Sequence, residues 1–193
     1  MAVEEFEYAN ASVVTPQLWV GGDLTTHHES QAERQLAEMV DAGLTHILDA
    51  RLEWNDAEFV AARAPAVRYL HLGVDDAGQR MPDEWFDQGT RFVLDAMADP
   101  DARVLVHCHM GINRGPSMGF AVLLATGWSP VAAHIAIHRV RPIAWIDYWA
   151  DATRWWARRA GTPERELRNQ LEQAQQWRDR LGIGWRATYR GIR

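Results

Sequence analysis

The feature that most limits the possible folds is a short apolar run in the middle of the chain, followed by a glycine-containing loop and an apolar helix. Residues 103–107 have the length and composition of a buried strand, and residues 115–125 have those of the helix. Similar patterns alternate along the rest of the chain. Strands are predicted at 18–20, 45–49 and 67–74, and helices at 30–42, 82–98 and, as two or three helices, at 129–159. This alternation predicts an α/β layered domain with a small central, mostly parallel sheet flanked by helices.

A separate helix is predicted near the C-terminal end, over residues 163–181. Thr162 can cap it, and Pro163 suits its first turn. A single apolar stripe runs along this helix, formed by Leu167, Leu171, Ala174, Trp177 and Leu181. We therefore assign residues 1–160 to the main domain, and residues 161–193 to a C-terminal helix and tail that packs on the same domain. A dimer or partner surface is the alternative interpretation of the stripe, and the sequence leaves the oligomeric state open.

Charge and hydropathy limit the possible functions. The net charge of −6 argues against broad nucleic-acid binding, which depends on a positive surface, and none of the 20 basic residues is lysine. No run approaches the length of about 18 apolar residues that a membrane helix needs. The acidic residues 1–7 lack the basic and apolar layout of a signal peptide. We therefore expect a soluble, cytoplasmic protein that interacts with no membrane.

A single cysteine, Cys108, excludes an internal disulfide and a cysteine-rich metal site. The histidines show no metal-ligand spacing of the H-E-x-x-H type. We therefore expect neither a metal site nor a cofactor. A lone cysteine is usually a small buried hydrophobic residue, so its neighbours must decide whether it has a chemical role.

Those neighbours form the segment 107–117, which leaves the predicted central strand and enters the next helix. The stretch between Cys108 and Arg114 can curl so that its backbone N–H groups point inward and bind an anion. Gly111 supplies the backbone freedom for this curl, and Pro116 fits the first helical turn. The positive end of the helix dipole then faces the centre of the loop.

This arrangement is suited to phosphoryl chemistry. The helix N-terminus and a nearby guanidinium both favour a thiolate at Cys108. Arg114 can hold two phosphate oxygens at once with its planar fork. A thiolate beside a bound phosphate is placed to attack phosphorus and form a phosphocysteine.

The sequence His-Cys-x5-Arg resembles the signature of the cysteine-based protein phosphatases, and the length and flanks resemble those of the dual-specificity subgroup. The likeness extends from about residue 14 to residue 158. Residues 15–21 are similar to that subgroup's opening strand, residues 43–48 to its second strand, and residues 139–142 to the stretch after its phosphate-loop helix. The resemblance implies the family's fold and a metal-free hydrolysis in two steps.

The family also uses an aspartic general acid on a loop some thirty residues before the cysteine. Asp76 lies 32 residues before Cys108, at the end of a predicted strand, and is our candidate. Asp75 is the alternative. The chemistry requires such an acid because a leaving alkoxide or phenoxide must be protonated.

The loop supplies the expected substrate-binding residues, which are His109, Met110, Gly111, Ile112, Asn113 and Gly115. His109 could contact substrate or simply be exposed, and the sequence leaves both open. His107, at the end of the strand, is expected to orient the loop from beneath.

The chain departs from the family at two places. Gly115 stands where the family often has Ser or Thr, whose hydroxyl helps the sulfur to leave, and the nearest hydroxyl here is Ser117. Breakdown of the intermediate is therefore slow, or Ser117 substitutes. The family's frequent Pro-Asn-x-x-Phe is replaced by residues 145–149, so the support of the loop must differ.

The resemblance and the residues favour a phosphatase acting on phosphotyrosine, with phosphoserine and phosphothreonine as further candidates. Its expected partner is a phosphorylated protein or another phosphomonoester. One alternative is an RNA 5′-phosphatase or triphosphatase, because Asn113-Arg114 resembles the loop of those enzymes, although Asp76 and the acidic chain count against it. The other is a catalytically weak phosphopeptide-binding module, which only Gly115 favours.

Overall fold

The computed structural model describes residues 6–181. The strands are β1 (Ala11–Val13), β2 (Leu18–Gly21), β3 (His46–Arg51), β4 (Arg68–Val74) and β5 (Val104–His107). The helices are α1 (Glu29–Asp41), α2 (Ala57–Arg63), α3 (Asp83–Met97), α4 (Arg114–Ala125), α5 (Pro130–Val140), α6 (Trp149–Ala160) and α7 (Glu164–Arg180).

The strands form one sheet in the order β1-β2-β5-β3-β4. Strand β1 is antiparallel to β2, and the other neighbours are parallel. The apolar run at the centre of the sequence is thus the central strand of the sheet. Val104 and Val106 point into one core and Leu105 into the other, because successive side chains of a strand alternate between faces. The predicted α/β fold class is confirmed.

Helix α4 follows β5 and is buried along nearly its whole length, from Arg114 to Leu124. It packs against α3, α5 and α6 on one face of the sheet, while α1 and α2 lie on the other. A helix that is apolar on all sides needs such surroundings. Because ligands in open α/β sheets bind at the carboxyl ends of the strands, the β5–α4 connection is placed at the expected functional edge.

Two short elements were absent from the predicted set. Strand β1 has three residues, and α2 has seven, of which only Val60 is buried. Neither is long enough to show a clear period of hydrophobic residues. Both are stabilised by contacts with neighbouring elements. Strand β1 pairs with β2, and α2 packs on β4.

Helix α7 lies against α5 and α6. Of the predicted apolar stripe, Ala174 is fully buried, whereas Leu181 is 52% exposed. Arg178, which was outside the predicted stripe, is buried with it. The tail at 182–193 lies outside the described residues, so the proposed division into two parts stays a prediction. Between residues 6 and 181, no helix has the length and hydropathy to cross a membrane.

Candidate active site

The loop between β5 and α4, residues 108–113, forms the centre of the site and is called the cysteine loop below. Cys108 follows the central strand directly and is only 2% exposed. Its N–H lies 3.3 Å from the carbonyl oxygen of Gly21 on the neighbouring strand. The loop ends at Asn113, where α4 begins, so the helix N-terminus faces the loop.

Gly111 and Arg141 hold the curl of the loop. Gly111 has a φ of +65°, and a Cβ there would lie 2.4 Å from Nη2 of Arg141. Arg141 is buried, and it donates from Nε to the carbonyl of Gly111 at 2.6 Å and from Nη2 to that of Met110 at 2.9 Å. Only glycine is compatible with this backbone and this close approach. Residues 139–142 are similar to the family in sequence, but this similarity does not predict the role of Arg141.

Arg114 is held along one edge of its guanidinium. Nη1 and Nη2 donate to the two carboxylate oxygens of Glu53 at 2.8 and 2.9 Å, and Nη1 also donates to the carbonyl of Val74 at 3.0 Å. Burial opposes the charge, but the bonds to Glu53 outweigh it and raise the pKa of Arg114. The same bonds lower the pKa of Glu53 to about 2. Glu53 was not among the predicted site residues.

The other edge of Arg114 faces Asp76, whose Oδ2 lies 3.4 Å from Nε. Within residues 6–181, its Nε–H has no hydrogen-bond partner, although it is buried. In a planar guanidinium, this group lies beside the second N–H of Nη2. These two groups form one edge of the guanidinium, and the binding of two phosphate oxygens by this edge stays a prediction.

Buried ionic contacts position the loop that carries Glu53. Arg51 is fully buried at the end of β3 and donates to Asp49 at 2.7 Å and to Asp56 at 2.6 Å. It also lies 3.3 Å from Asp23. A buried cation with several carboxylate partners fixes the surrounding chain, because losing one partner leaves a charge uncompensated.

Asp76 lines the same cleft as Cys108, and two donors fix its side chain. Asn113 Nδ2 donates to Oδ1 at 2.6 Å, and the hydroxyl of Tyr148 donates to the same oxygen at 3.1 Å. Burial and then the Asp76 charge raise the pKa of Tyr148, so it remains a donor near neutral pH. Asp75, the alternative acid, instead accepts from the backbone N–H of Asp76.

Ser117 is engaged in supporting contacts. It is fully buried, its hydroxyl donates to Oδ1 of Asn113 at 3.1 Å, and it accepts the N–H of Tyr148 at 3.3 Å. A hydroxyl has one proton, so none is left for the sulfur of Cys108. The expectation that Ser117 substitutes for the missing hydroxyl therefore has no support in this geometry.

Gly115 packs tightly against the end of β5. A Cβ at this position would lie 2.8 Å from the carbonyl carbon of His107 and 3.0 Å from the backbone nitrogen of Cys108. Both neighbours are backbone atoms, so a side chain at 115 requires the strand end or the helix to move. This explains why glycine stands here.

The two histidines beside the cysteine differ in their surroundings. His107 is buried with Nδ1 3.3 Å from the carbonyl of Cys108 and Nε2 3.8 Å from Asp49. Burial lowers its pKa, although Asp49 opposes this shift, so the ring is neutral near pH 7. His109 is exposed, lies 2.8 Å from Asp23 through Nδ1, and meets Trp54 edge to face. It also lines the cleft, so it can contact substrate while being held in place.

Residues 145–148 support the cysteine loop in place of the family's Pro-Asn-x-x-Phe. The N–H of Trp145 donates to the carbonyl of Ile112 at 2.7 Å, and that of Asp147 to Oδ1 of Asn113 at 2.7 Å. Ile146, buried between them, has a φ of +52°. A β-branched residue in this region is strained by about 1–3 kcal/mol and persists only where its surroundings hold it.

The site opens into a cleft of about 520 Å³. It is lined by Glu53, Asp76, Ala77, Gly78, Cys108, His109, Met110, Ile112, Asn113, Arg114, Trp145 and Asp147. Three of these side chains are carboxylates, and Arg114 is the single arginine among them. Gly111 and Gly115 shape the backbone behind this surface. No cluster of His, Cys, Asp or Glu that could hold a metal ion occurs in the described part of the chain.

A family model described as the catalytic domain of dual specificity phosphatases matches residues 27–143, more than half of the chain. The chain belongs to the dual specificity phosphatase family. The matched segment contains Cys108, Arg114 and Asp76, and it ends before Trp145. Family membership and the fold both support phosphatase activity for this dual specificity phosphatase.

Individual relatives agree with this assignment. Dual specificity protein phosphatase 13B of Homo sapiens is 25% identical, over an alignment that covers 64% of this chain and 70% of the human protein. PTPMT1, solved in complex with PI(5)P, has a TM-score of 0.64 at 19% identity. The alignment covers 77% of this chain and 96% of the PTPMT1 chain. Human DUSP28 has a TM-score of 0.62 at 19% identity, with coverages of 76% and 92%. At such identities the structures show the shared fold alone.

Proposed function

We propose that this dual specificity phosphatase hydrolyses phosphomonoesters through a phosphocysteine intermediate, with phosphotyrosine in proteins as its main substrate. The observation that carries the proposal is the convergence of three groups on one cleft. Cys108 and Asp76 line it together with Arg114, whose Nε–H forms no hydrogen bond among residues 6–181 and lies 3.4 Å from Oδ2 of Asp76. A nucleophile, an acid and a guanidinium edge that forms no hydrogen bond are the parts that phosphoryl transfer requires.

In the first step, the thiolate of Cys108 attacks phosphorus, and the bond between phosphorus and the ester oxygen breaks. The Nε edge of Arg114 and the loop N–H groups hold the non-bridging oxygens. The electron pair leaves with the ester oxygen, which takes a proton from Asp76. Because Oδ1 of Asp76 already accepts from Asn113 and Tyr148, the transferred proton sits on Oδ2.

In the second step, Asp76, now a carboxylate, takes a proton from water as the water oxygen attacks phosphorus. The bond between sulfur and phosphorus breaks, which releases inorganic phosphate and restores the thiolate. Neither Gly115 nor the engaged hydroxyl of Ser117 offers a proton to the departing sulfur. We therefore expect breakdown of the phosphocysteine to limit turnover of good substrates.

The cleft favours an aromatic phosphomonoester over a polyanion. Trp145 supplies an aromatic wall, whereas Glu53, Asp76 and Asp147 give the lining a negative charge. Phosphoinositides and RNA 5′-triphosphates carry several charges and gain from additional cations, which this lining does not supply. PTPMT1 was solved with PI(5)P, and this lipid is therefore a useful comparison substrate.

The experiment compares the wild-type protein with Cys108→Ser in EDTA, on p-nitrophenyl phosphate, phosphotyrosine and phosphoserine peptides, PI(5)P and 5′-triphosphorylated RNA. We expect the phosphotyrosine peptide to have the highest kcat/KM, with no turnover by Cys108→Ser. Faster turnover of the RNA would replace this proposal with the RNA phosphatase. Phosphopeptide binding without any turnover would leave only the binding module.

A further inference from the structure

Helix α7 reaches the active site through one buried arginine. The helix lies C-terminal to the segment 27–143 that the family model matches, and most of its polar side chains are exposed. Arg178 is 4% exposed, and its Nη1 donates to the carbonyl of Trp145 at 2.8 Å and lies 3.5 Å from that of Ile146. Its guanidinium carbon lies 4.5 Å from the ring centroid of Trp145 and 5.7 Å from that of Trp149.

Arg178 forms no ion pair with a carboxylate in the described part of the chain. Burial without a counter-ion is unfavourable and lowers its pKa to about 10. Two indole faces and the backbone carbonyls partly offset this. The contacts of this cation are thus concentrated on one short segment.

The segment 145–149 needs contacts from other parts of the chain to keep its conformation. Ile146 has the left-handed φ of +52°, which a β-branched residue keeps only when its neighbours impose it. Trp145 connects the segment to the cysteine loop, because its N–H donates to the carbonyl of Ile112 at 2.7 Å. Its indole also lines the cleft, where Nε1 donates to Asp147 at 3.1 Å. One face of the strained segment is therefore the substrate wall, and the other carries Arg178.

We propose that Arg178 is a positioning residue, which fixes Trp145 as the aromatic wall of the cleft and makes α7 part of the recognition of aryl phosphates. The proposal rests on the proposed phosphatase function. Arg178 acts through Trp145 and takes no part in the chemical steps. Its loss should therefore weaken contacts with the aryl group and spare contacts with the phosphate.

The test uses the full chain with Arg178→Met, Arg178→Lys and the control Arg165→Ala, which removes an exposed arginine from the same helix. We measure KM and kcat for a phosphotyrosine peptide, and the inhibition constant of inorganic phosphate, which occupies the loop without reaching the wall. Arg178→Met should raise KM about tenfold, as expected for loss of an ordered aromatic contact. The phosphate inhibition constant should change less than about twofold, since such a ligand lacks the aryl group. The KM of Arg178→Lys should lie between those of the wild type and Arg178→Met. Both constants of Arg165→Ala should match those of the wild type.

Three outcomes overturn the proposal. If KM and the phosphate inhibition constant rise together, Arg178 only supports the fold; if neither changes, it has no role at the site. Circular dichroism shows whether Arg178→Met is folded. If that variant is unfolded, the kinetic constants of Arg178→Lys decide the test. Trp145→Ala removes the wall itself and must reproduce the selective rise in KM, or the proposal fails. If the wild type turns over no aryl phosphate, the proposed function fails instead.

Discussion

The side-chain amide of Asn113 donates to Oδ1 of Asp76 at 2.6 Å, so a residue of the cysteine loop holds the carboxylate that we propose as the general acid. Tyr148 donates to the same oxygen. The proposed acid is therefore coupled to the cysteine loop and to the segment behind it. Its Oδ2 remains for proton transfer and lies 3.4 Å from Nε of Arg114.

Replacing Tyr148 by Phe should lower kcat about tenfold for substrates with poor leaving groups, because a bond of about 1.5 kcal/mol to a charged oxygen is lost. Hydrolysis of p-nitrophenyl phosphate, whose leaving group needs less protonation, should change little. The control is Tyr8→Phe at an exposed site. In an Asp76→Asn background the effect should disappear, and an unchanged tenfold loss there would show that Tyr148 acts independently of the acid.

Replacing Asp76 by Asn should cost about 100- to 10,000-fold in kcat for phosphoserine peptides, as removal of a general acid does. The loss should be smallest for p-nitrophenyl phosphate. Asp75→Asn is the matched control, since Asp75 neighbours Asp76 but caps a backbone N–H. Should Asp75→Asn show the leaving-group dependence and Asp76→Asn not, the acid is assigned to the wrong residue.

Replacing Arg114 by Lys should abolish turnover and weaken competitive inhibition by inorganic phosphate, because an ammonium cannot form the planar two-pronged contact. Cys108→Ser should also lose turnover by several orders of magnitude, yet it should still bind phosphate, since the loop and Arg114 remain. Isothermal titration with phosphate separates the two variants. Equal phosphate affinity in both would contradict the role of the arginine fork.

Gly115→Ser should not speed breakdown of the intermediate, although it restores the hydroxyl common in the family. Its Cβ would meet backbone atoms of His107 and Cys108. Overpacking of this kind destabilises a core by about 1–3 kcal/mol. Thermal unfolding should therefore show a lower Tm for Gly115→Ser and for the matched Gly115→Ala. A faster Gly115→Ser with an unchanged Tm would show that the loop has room for the side chain.

The free energy of unfolding should fall as pH falls below about 6.5. The histidines of the unfolded chain then bind protons, whereas buried histidines of the folded protein stay neutral. Burial, with the charge of Arg178 adding to it, lowers the pKa of His134 to about 2 and that of His138 to about 4. Each such histidine contributes up to about 1.4 kcal/mol per pH unit between its two pKa values. Full stability lies above pH 6.5, and it is lost progressively below.

His134 allows a direct check of this acid sensitivity. It is fully buried, and neither ring nitrogen has a hydrogen-bond partner within residues 6–181. His134→Phe should keep the stacking on Trp177 and flatten the pH dependence measured by urea unfolding between pH 7 and 4.5. His28→Phe, at an exposed site, should leave the slope unchanged. An unaltered slope in His134→Phe would mean that this ring titrates normally.

Part of the secondary structure and of the candidate site can be predicted from the local sequence. The strand at 103–107 and the helix from 115 were predicted because hydrophobic period and turn residues are properties of consecutive positions. Cys108 and Arg114 are close in the chain and enclose one loop, so their meeting needs little knowledge of the rest. The family likeness then supplied Asp76, from another loop, as a candidate.

Tertiary structure decided the partners of these groups. Glu53, Arg178 and the pair Arg141 and Tyr148 come from three separate parts of the chain, and each of the four was missed as a site residue. Their contacts depend on strand order and helix packing, which bring together residues such as Arg114 and Glu53, 61 positions apart. The period of hydrophobic residues indicates whether a side chain faces a core. It does not indicate which distant group that side chain contacts there. The sequence thus determined the loop and its candidate chemistry, and the packing of the sheet and helices determined what holds that loop in place.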